Sequence, residues 1–323
     1  MTLDVEEAAA ILHRGGLVAF PTETVYGLGA DAENPAAVAR IFAAKGRPAT
    51  HPVIVHIGHV SLLEHWATDI PPSAWLLAKH FWPGSLTLIL KRNAHVLDAV
   101  TGGQDTVGLR MPDHPVALAL LTAFGGGVAA PSANRYGRIS PTTAQHVRDE
   151  LGEAVDGILE GGSCRVGIES SILDLSGAHP QLLRPGTISI AAIERVLNQS
   201  LIEASRAAPR VPGALLSHYA PQTPLALVAP NDLQAEVKRC LEKGERVAVL
   251  ARTTATPLEN CAGQNCIWQL MPTDPSDYAH ELYARLRALD ALHVDRLLVE
   301  TLPAELVWQA VRDRLSRAAQ ATP

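Results

Sequence analysis

Short apolar runs alternate with helix-like periodicity along the first 200 residues. The clearest predicted helix covers residues 35–45, because Asn34 and Pro35 supply a helix start, Gly46 supplies a stop, and one face is apolar. Other helices are predicted at 4–13, 60–67, 72–81, 114–124, 143–151 and 190–198, and strands at 16–20, 53–57, 85–90, 107–111, 127–131, 157–160, 170–175 and 181–184. This spacing is too irregular for a repeated βαβ winding, so we expect an α/β fold with a twisted mixed sheet and flanking helices.

The periodicity stops at residues 199–222, which gather Pro209, Pro212, Gly213 and Pro221 as a linker would. Beyond them, the runs PLALVA and RVAVLA and a strand at 295–301 alternate with helices near 232–243, 276–290 and 304–318, which predicts a small Rossmann-like domain. The last helix is expected to carry Leu306, Val307, Ala310, Val311 and Leu315 on one apolar face. The expected organisation is a first domain at 1–200, a linker or lid at 201–222 and a C-terminal domain at 223–323.

Charge and composition narrow the classes of function. Residues 1–205 carry 14 Lys and Arg against 20 Asp and Glu, and residues 206–323 carry 13 against 13, so neither half has the basic excess of a nucleic-acid scaffold. No apolar run approaches the roughly 18 residues of a membrane-spanning helix, and the acidic N-terminus does not resemble a signal peptide. The four cysteines contain no C-x-x-C pair, so we expect reduced thiols rather than disulfides or a zinc site.

Two cations follow the predicted helix 35–45 on a short, stiff segment. Lys45 ends the helix, and Pro48 biases Arg47 toward an extended backbone. An ammonium and a guanidinium held in this way suit the oxygens of a polyphosphate. The residues alone favour a simpler interpretation, in which Lys45 complements the helix C-terminus and Arg47 is solvated. The glycine-rich stretches 125–127 and 161–162 do not continue into a P-loop, so any nucleotide would be bound without one.

Other polar groups border the apolar runs. Ser132 and Asn134 stand two residues apart after a strand, so their side chains are expected on one side of an extended segment, although turn chemistry explains this pattern more often. Arg110 ends a strand, where it suits a carboxylate; the alternative is a surface ion pair with Asp113. His56 alternates with apolar residues, which also describes a core histidine.

A series of motifs, in this order, resembles the threonylcarbamoyl-AMP synthase family, whose central unit is the YrdC-like domain. These motifs are PTETVYGLG from Pro21, KGRP from Lys45, HPVIVHI from His51, PGSLTLIL from Pro83, TVGLRMP from Thr106, APSANRYGRISPT from Ala130, GIESSILD from Gly167 and LLRPGTIS from Leu182. The linker fragment SHYAP from Ser217 is similar to the lid of the family's long form, which has a second domain. The resemblance implies a YrdC-like twisted mixed sheet, followed by a small Rossmann-like domain.

The resemblance also implies roles for individual residues, each carried over on its motif. Lys45 and Arg47 are the implied catalytic cations at the nucleotide phosphates. The residues implied for ATP binding are Lys45, Arg47, His51, Thr106, Ser132, Asn134, Ser140, Arg184 and Tyr219, and those implied for L-threonine binding are Thr22, Thr24, His56, Arg110 and Ser170. No protein ligand for a metal is implied.

The activity that the resemblance implies is the adenylation of a carbamate. The amine of L-threonine captures bicarbonate or CO2, and the N-carboxylate attacks the α-phosphate of ATP to give threonylcarbamoyl-AMP and pyrophosphate. ATP is then a substrate, and Mg²⁺ is implied as an ion held through the phosphates. The product would serve the t6A37 modification of tRNA through a tRNA threonylcarbamoyl transferase complex. We expect a cytoplasmic protein without a membrane partner, and direct tRNA binding stays open.

Two other functions remain in view. One is an RNA-binding or ribosome-associated YrdC-like module, against which the acidic first domain argues. The other is the carbamoyl-adenylate chemistry of hydrogenase maturation, whose proteins carry zinc-finger cysteine pairs and an acylphosphatase unit that this chain has no room for.

Overall fold

The computed structural model describes residues 3–205, 207–213, 218–253 and 265–320. These residues form two compact units, one from residues 3–136 and 140–213 and the other from residues 137–139 and 218–320. Both units combine helices with a sheet, so the predicted α/β class is confirmed. In the described part of the chain, no helix is long and apolar enough to cross a lipid bilayer.

The first unit is built on a mixed sheet in the order β7-β1-β2-β6-β3-β5-β4-β8-β9. Its strands are β1 (Val18–Phe20), β2 (Gly27–Asp31), β3 (Ile54–His56), β4 (Leu86–Lys91), β5 (Thr106–Arg110), β6 (Val128–Ala129), β7 (Gly157–Ile158), β8 (Ser171–Asp174) and β9 (Gln181–Arg184). Strands β3 and β5 run parallel with His56 beside Arg110, and β4 and β8 run parallel with Leu86 beside Ser171. This register brings several of the predicted site residues close together.

Helices cover the two faces of this sheet unequally. They are α1 (Val5–His13), α2 (Pro35–Lys45), α3 (Leu63–Trp66), α4 (Pro72–Phe81), α5 (Asp98–Thr101), α6 (Pro115–Phe124), α7 (Ala144–Leu151) and α8 (Ile190–Leu197), with 3-10 turns at Val60–Leu62 and Gly152–Ala154. The larger core contains buried residues of α2, α3, α4, α5, α7 and α8 with Val53, Val55 and Ile57 of the β3 region. On the opposite face, a second core contains residues of α1 and α6.

Part of that opposite face belongs to neither of these cores, and we call it the pocket face. Because side chains alternate along a strand and Val55, Leu88 and Leu109 lie in the larger core, the intervening residues point to the pocket face. These residues are Ile54, His56, Thr87, Ile89, Gly108 and Arg110. Val211 of the predicted linker packs there against Ile54 and Ile89.

The local signals for α2 act as the sequence predicts. The side chain of Asn34 accepts hydrogen bonds from the backbone N–H groups of Ala36 and Ala37, at 3.1 and 3.2 Å. Gly46 ends the helix in the left-handed conformation at φ 62°. A side chain is strained there, so glycine is the natural residue at this stop. The predicted bounds of α2 are therefore confirmed.

Other elements differ from the prediction. Strand β2 (Gly27–Asp31), helix α5 (Asp98–Thr101) and the strand Cys266–Leu270 of the second unit were not predicted. Leu306 and Val307 are 72% and 68% exposed in a 3-10 turn rather than buried on a helix face, so that prediction is wrong. Among the cysteines in the described part of the chain, Cys164 and Cys240 are buried thiols, whereas Cys266 is disulfide-bonded, which corrects the expectation of reduced thiols.

The second unit is a parallel sheet in the order β10-β13-β11-β12. Its elements are β10 (Leu225–Val228), α9 (Leu233–Glu242), β11 (Val247–Ala251), β12 (Cys266–Leu270), α10 (Pro275–Asp290), β13 (Arg296–Glu300), a 3-10 turn at Leu306–Trp308 and α11 (Gln309–Ala319). The continuous apolar run of β11 is fully buried, as expected for the interior of a parallel sheet. Parallel strands joined by helices agree with the predicted Rossmann-like unit.

Candidate active site

Lys45 is the most deeply placed cation at the end of α2. Its side-chain nitrogen donates to the backbone carbonyl of Ser132 at 2.5 Å and also to that of Asn134, and the residue is 3% exposed. Burial, and then the charge of Arg47, hold the pKa of Lys45 well below its usual range. An anion placed nearby would favour the charged ammonium, because it would offset the lost hydration.

Arg47 lies beside Lys45 and is held by neighbours rather than by solvent. It is 8% exposed, its Nη2 donates to the carbonyl of Pro52 at 2.9 Å, and its guanidinium carbon lies 5.7 Å from the ring centre of Tyr136. The alternative of a solvated Arg47 is therefore wrong. We call Lys45, Arg47 and their partners the cation clamp.

His51 and Thr106 lie at the same edge of the sheet as the cation clamp. The Tyr136 hydroxyl is 3.1 Å from Nδ1 of His51. Burial and the charges of Arg47 and Arg210 lower the pKa of His51, so this ring is neutral at pH 7. Thr106 is the first residue of β5, and Gly108, two residues later, pairs with Ile54 of the parallel strand β3. Thr106 therefore lies beside Pro52, at the edge of the sheet where the chain enters β3.

Ser132 and Asn134 reach the cation clamp through their backbones. Extended pairing stops at Ser132, which bridges to Gly27, and the chain then bends at Ala133 and Asn134. The segment is therefore not extended beyond Ser132, and the shared side of the two side chains stays a prediction. The bend turns two carbonyl groups toward Lys45, and the Asn134 amide donates to the carbonyl of Arg135 at 2.7 Å.

Arg110 and Glu23 form a buried ion pair on the pocket face. Nη2 of Arg110 lies 2.6 Å from Oε1 of Glu23, and the side chains are 5% and 2% exposed. Glu23 also accepts from the Ser85 hydroxyl and from the backbone N–H of Asp113. Burial raises the pKa of Glu23, but Arg110 and these donors outweigh it, so the net shift is downward. The predicted alternative, a surface pair of Arg110 with Asp113, is wrong, because Asp113 pairs with Arg165.

The two predicted threonines flank Glu23 in one tight turn. The hydroxyl groups of Thr22 and Thr24 lie 2.8 Å apart, and Thr22 also donates to the carbonyl of Val25 at 2.6 Å. Thr22 further accepts from two backbone N–H groups of the turn, so its hydroxyl is committed to the backbone. Thr24 has the freer hydroxyl, and it is the better of the two for contacting a ligand.

His56 is buried on the pocket face beside Arg110 in the strand register. Its Nδ1 atom is buried without a hydrogen-bond partner among the described residues. Burial, and then the charge of Arg110, lower the pKa of His56 to about 3, so the ring is neutral. A buried polar atom of this kind costs free energy unless a bound water or ligand satisfies it.

Ser170 and Arg184, predicted for different substrates, contact each other. Arg184 donates from Nη2 to the Ser170 hydroxyl at 3.1 Å and from Nε to the Ser170 carbonyl at 3.0 Å. The same hydroxyl lies 2.8 Å from that of Thr87. Close to this group, the Ser140 hydroxyl donates to Glu169 at 2.5 Å. One network thus joins the predicted threonine and nucleotide sides of the pocket.

Tyr219, predicted for ATP binding, belongs to the second unit. It is 1% exposed, its ring centre lies 5.9 Å from that of Tyr283, and the guanidinium of Arg314 lies 5.3 Å from its ring centre. Its backbone is left-handed at φ 62°. These contacts hold the ring within its own unit, and a contact with ATP stays a prediction.

The first unit thus gathers the other predicted residues into a cation clamp at one edge and a polar group on the pocket face. Sequence reasoning did not single out Glu23, Ser85 and Thr87, although all three lie within the quoted motifs. The available signal was a carboxylate between two threonines in an otherwise apolar run. Its significance depends on a contact 87 residues away along the chain.

Comparison with known proteins gives consistent matches along the chain. A family model described as "Telomere recombination" matches residues 10–186, and a model described as "Threonylcarbamoyl-AMP synthase, C-terminal domain" matches residues 188–320. The threonylcarbamoyl-AMP synthase of Bacillus subtilis is 40% identical over 328 residues, which covers 98% of this chain and 92% of the relative.

Solved structures agree with these sequence matches. The crystal structure of Pyrococcus abyssi Sua5 complexed with L-threonine superposes with a TM-score of 0.90 at 37% identity, covering 98% of this chain and 94% of the other. A P. abyssi Sua5 variant with adjacent His-to-Ala and Tyr-to-Ala substitutions superposes with a TM-score of 0.89 at 36% identity, covering 99% and 96%. From the motifs, both domains and these matches, the chain belongs to the threonylcarbamoyl-AMP synthase family.

Proposed function

We propose that this chain is a nucleotidyltransferase that makes L-threonylcarbamoyladenylate. The neutral amine of L-threonine forms a C–N bond to CO2 and releases a proton to solvent, or forms it to bicarbonate with loss of water, and either route gives an N-carboxylate. An oxygen of that carboxylate then forms a bond to the α-phosphorus of ATP, while the bond to the bridging oxygen breaks and its electrons leave with pyrophosphate. The name of the family and the L-threonine complex of P. abyssi Sua5 support L-threonine and ATP as the substrates.

One observation carries the proposal: four cations are buried around one pocket. Lys45, Arg47, Arg110 and Arg184 are all 8% exposed or less. Burying cations costs free energy unless anions compensate; Glu23 already compensates Arg110, and a triphosphate together with an amino-acid carboxylate would supply further anions. The cations therefore favour this substrate class over a neutral ligand.

The cation clamp is proposed to act on the leaving group. Negative charge on the β- and γ-phosphates grows as pyrophosphate departs, and Lys45 and Arg47 lie where they could stabilise it. His51, Thr106, Ser132, Asn134, Ser140 and Arg184 are proposed to position the nucleotide. No side chain is assigned as a general base, because the carbamate oxygen is already anionic and positioning suffices.

The pocket face is proposed to bind L-threonine. Arg110 donates to the carbonyl of Gly84 through Nε and to Glu23 through Nη2. Among the described residues its Nη1 has no acceptor, so this nitrogen can donate to the carboxylate of L-threonine. The unpartnered Nδ1 of neutral His56 and the hydroxyls of Thr24 and Ser170 can serve the amine and the side-chain hydroxyl. Thr22 is proposed to shape the turn, since its hydroxyl is already engaged.

Mg²⁺ is proposed to bind through the ATP phosphates. Among the described residues, no group of three metal-ligating side chains includes a member of the cation clamp. The two carboxylates of the pocket are engaged, Glu23 with Arg110 and Glu169 with Ser140. The donor set therefore fits an ion carried by the nucleotide, and when bound it would neutralise phosphate charge.

The linker is proposed to cover the pocket face. Nη1 of Arg184 donates to the carbonyl of Pro212 at 2.9 Å, and Arg210 donates to the carbonyl of Gly102. The packing of Val211 against Ile54 also supports a linker that covers the pocket face. Whether Tyr219 takes part is tested by the ATP affinity of Tyr219→Ala, with Tyr283→Ala as a control for lost packing within the second unit.

The decisive experiment is pyrophosphate release from ATP by the purified chain, with and without L-threonine and bicarbonate. We expect release that requires both co-substrates, falls at least about 100-fold in Arg47→Ala and is unchanged in Arg195→Ala, which removes an exposed arginine of the same unit. Release with carbamoyl phosphate instead would indicate the maturation chemistry. If folded protein releases none under any condition, a tRNA filter-binding assay should test the binding-module alternative.

The product is proposed to be used in the t6A37 modification of tRNA. An acyl adenylate is an activated donor, so a transferase that moves the threonylcarbamoyl group to tRNA is the expected partner. Adding such a transferase complex and tRNA to the reaction should give threonylcarbamoylated tRNA that depends on this chain.

A further inference from the structure

The first unit carries a group of metal-ligating side chains outside the pocket. Glu33, His65 and His95 come from three separate segments, and one ligand atom from each lies within 4.8 Å of the others. The three side chains are exposed. We call them the Glu33–His65–His95 cluster.

The distances within the cluster suit coordination of one ion. Nε2 of His65 lies 3.0 Å from Oε1 of Glu33, and the ring centres of His65 and His95 are 4.6 Å apart. Two ligand atoms that each lie about 2.1 Å from an ion, at tetrahedral or octahedral angles, are about 2.9–3.4 Å apart. Glu33 and His65 already meet this requirement, and the ligand atom of His95, on an exposed side chain, lies within 4.8 Å of both.

The backbone beneath the cluster is firmly held. The Asn93 side-chain amide donates to the carbonyls of Glu64, His65 and Ala67 at 2.8, 2.9 and 3.2 Å, and so ties the segment of His95 to that of His65. Leu63 and Trp66 anchor the same short helix in the larger core, and both are fully buried. His65 and His95 therefore lie on anchored backbone, and such ligands lose less entropy on binding an ion than ligands on a mobile loop.

The cluster is separate from the candidate active site. Its helix packs through Leu63 and Trp66 on the face of the sheet that holds Val53, Val55 and Ile57. His56 and Arg110 point to the other face, so the sheet lies between the cluster and the proposed threonine site. Glu33 precedes the start of α2 and Lys45 is its last residue, so the 11-residue helix separates the cluster from the cation clamp by about 16 Å. A metal at the cluster would therefore not be the ion proposed to accompany ATP.

We propose that Glu33, His65 and His95 bind a divalent transition ion of the Zn²⁺ class. Two imidazoles and one carboxylate are borderline ligands typical of Zn²⁺, Ni²⁺ or Co²⁺, whereas Mg²⁺ and Ca²⁺ prefer oxygen alone. Three protein ligands leave the remaining coordination to water. The bound ion would cross-link the turn before α2, helix α3 and the loop after β4, and so stabilise the first unit.

The test is Zn²⁺ titration of tag-free, full-length protein stripped of metal, in competition with a chromophoric chelator. We expect one Zn²⁺ per chain and an affinity at least about tenfold lower in His65→Ala, His95→Ala and Glu33→Gln, because each variant weakens or removes one ligand. His179→Ala removes an exposed histidine outside the cluster and should bind like the wild type. Visible absorption of bound Co²⁺ should report nitrogen ligation and be lost in both histidine variants.

The proposal is overturned if no stoichiometric Zn²⁺ binds below about 100 μM, or if the cluster variants bind as the wild type does. It is also overturned if His179→Ala weakens binding as much as His65→Ala. Thermal unfolding with and without Zn²⁺ gives a second readout, in which the metal should raise the melting temperature of the wild type but not of His65→Ala. These outcomes do not depend on adenylation, so the proposed enzyme activity and the metal site can fail separately.

Discussion

Glu23 and Arg110 lie 87 residues apart in the chain and form an ion pair with 2.6 Å between Oε1 and Nη2, almost fully shielded from water. Two further donors, the Ser85 hydroxyl and the Asp113 N–H, complete the hydrogen bonds of the carboxylate. A buried pair this well satisfied fixes the orientation of the guanidinium, and that orientation decides what Arg110 can bind. Removing the charge of Glu23 should therefore affect both the stability of the first unit and the orientation of Arg110.

Glu23→Gln should destabilise the first unit strongly. The substitution keeps the shape but leaves the Arg110 charge buried without its carboxylate, which costs on the order of 3–5 kcal/mol. The matched control is Asp113→Asn, which breaks the exposed Arg165–Asp113 pair, with side chains 71% and 48% exposed, and should cost at most about 1 kcal/mol. Urea unfolding followed by tryptophan fluorescence would measure both. Equal effects in the two variants would contradict the buried-pair argument.

His56 should make the protein less stable in mild acid. Its folded pKa of about 3 lies below the ordinary histidine value of 6.5, so the folded state binds fewer protons than the unfolded state between these values. Stability from this group is therefore present above pH 6.5 and is lost as the pH falls toward 3. Between pH 7 and pH 5 the loss is about 2 kcal/mol.

The measurement is the free energy of unfolding at pH 7 and pH 5 for the wild type and for His56→Asn. The variant should lose about 2 kcal/mol of this pH dependence, because asparagine does not titrate, and keep the part that comes from the lowered pKa values of His51 and His114. Glu23 contributes little in this window, since its pKa is shifted downward from 4.5. A variant with the full pH dependence of the wild type would show that other groups cause it.

The sequence predicted those elements whose signals are local and missed those that depend on tertiary packing. Helix α2 was predicted to the residue because its signals are local: Asn34 caps its start and Gly46 its end. Strand β2 was missed because Gly27 and Gly29 look like turn residues. A Cβ on Gly29 would lie 2.8 Å from Val128 and 2.9 Å from Phe20, so the strand needs glycine for tertiary packing that the sequence does not display.

In the candidate site, too, the residues within recognisable motifs were predicted, and a residue whose role depends on a distant partner was missed. Motif resemblance selected residues that the structure brings together, such as Lys45 with Ser132 and Asn134, although the contacts are with carbonyl groups rather than side chains. Glu23 was passed over because its role depends on a partner from a distant strand. The exposure of Leu306 was also unexpected, since helical periodicity cannot show that the helix begins only at Gln309.

Gly186→Ala should disturb the Ser170 network. A Cβ at Gly186 would lie 2.3 Å from the backbone nitrogen of Ser171 and 2.7 Å from the carbonyl carbon of Ser170, and backbone atoms cannot move aside cheaply. We expect a loss of about 1–3 kcal/mol in stability and a raised KM for L-threonine. Gly177→Ala is the control, because nothing lies within 4 Å of its added Cβ, and it should stay within about 0.5 kcal/mol of the wild type. An unchanged KM for L-threonine in Gly186→Ala would show that the Ser170 network does not contribute to threonine binding.

ATP binding should be accompanied by proton uptake at Lys45. Burial and Arg47 hold its pKa well below the usual value, so part of the population is neutral at moderately alkaline pH. A polyphosphate beside the amine favours the ammonium, raises its pKa and draws a proton from the buffer. Calorimetric titration of ATP in buffers of different ionisation enthalpy, at several pH values between about 7.5 and 9.5, gives the number of protons taken up.

Lys45→Met should bind ATP more weakly and lose this uptake, whereas Lys79→Met, at an exposed position on α4, should behave as the wild type. If Lys45→Met retained the full uptake, the proton would be going to another group and the proposed contact of Lys45 with the phosphates would fall.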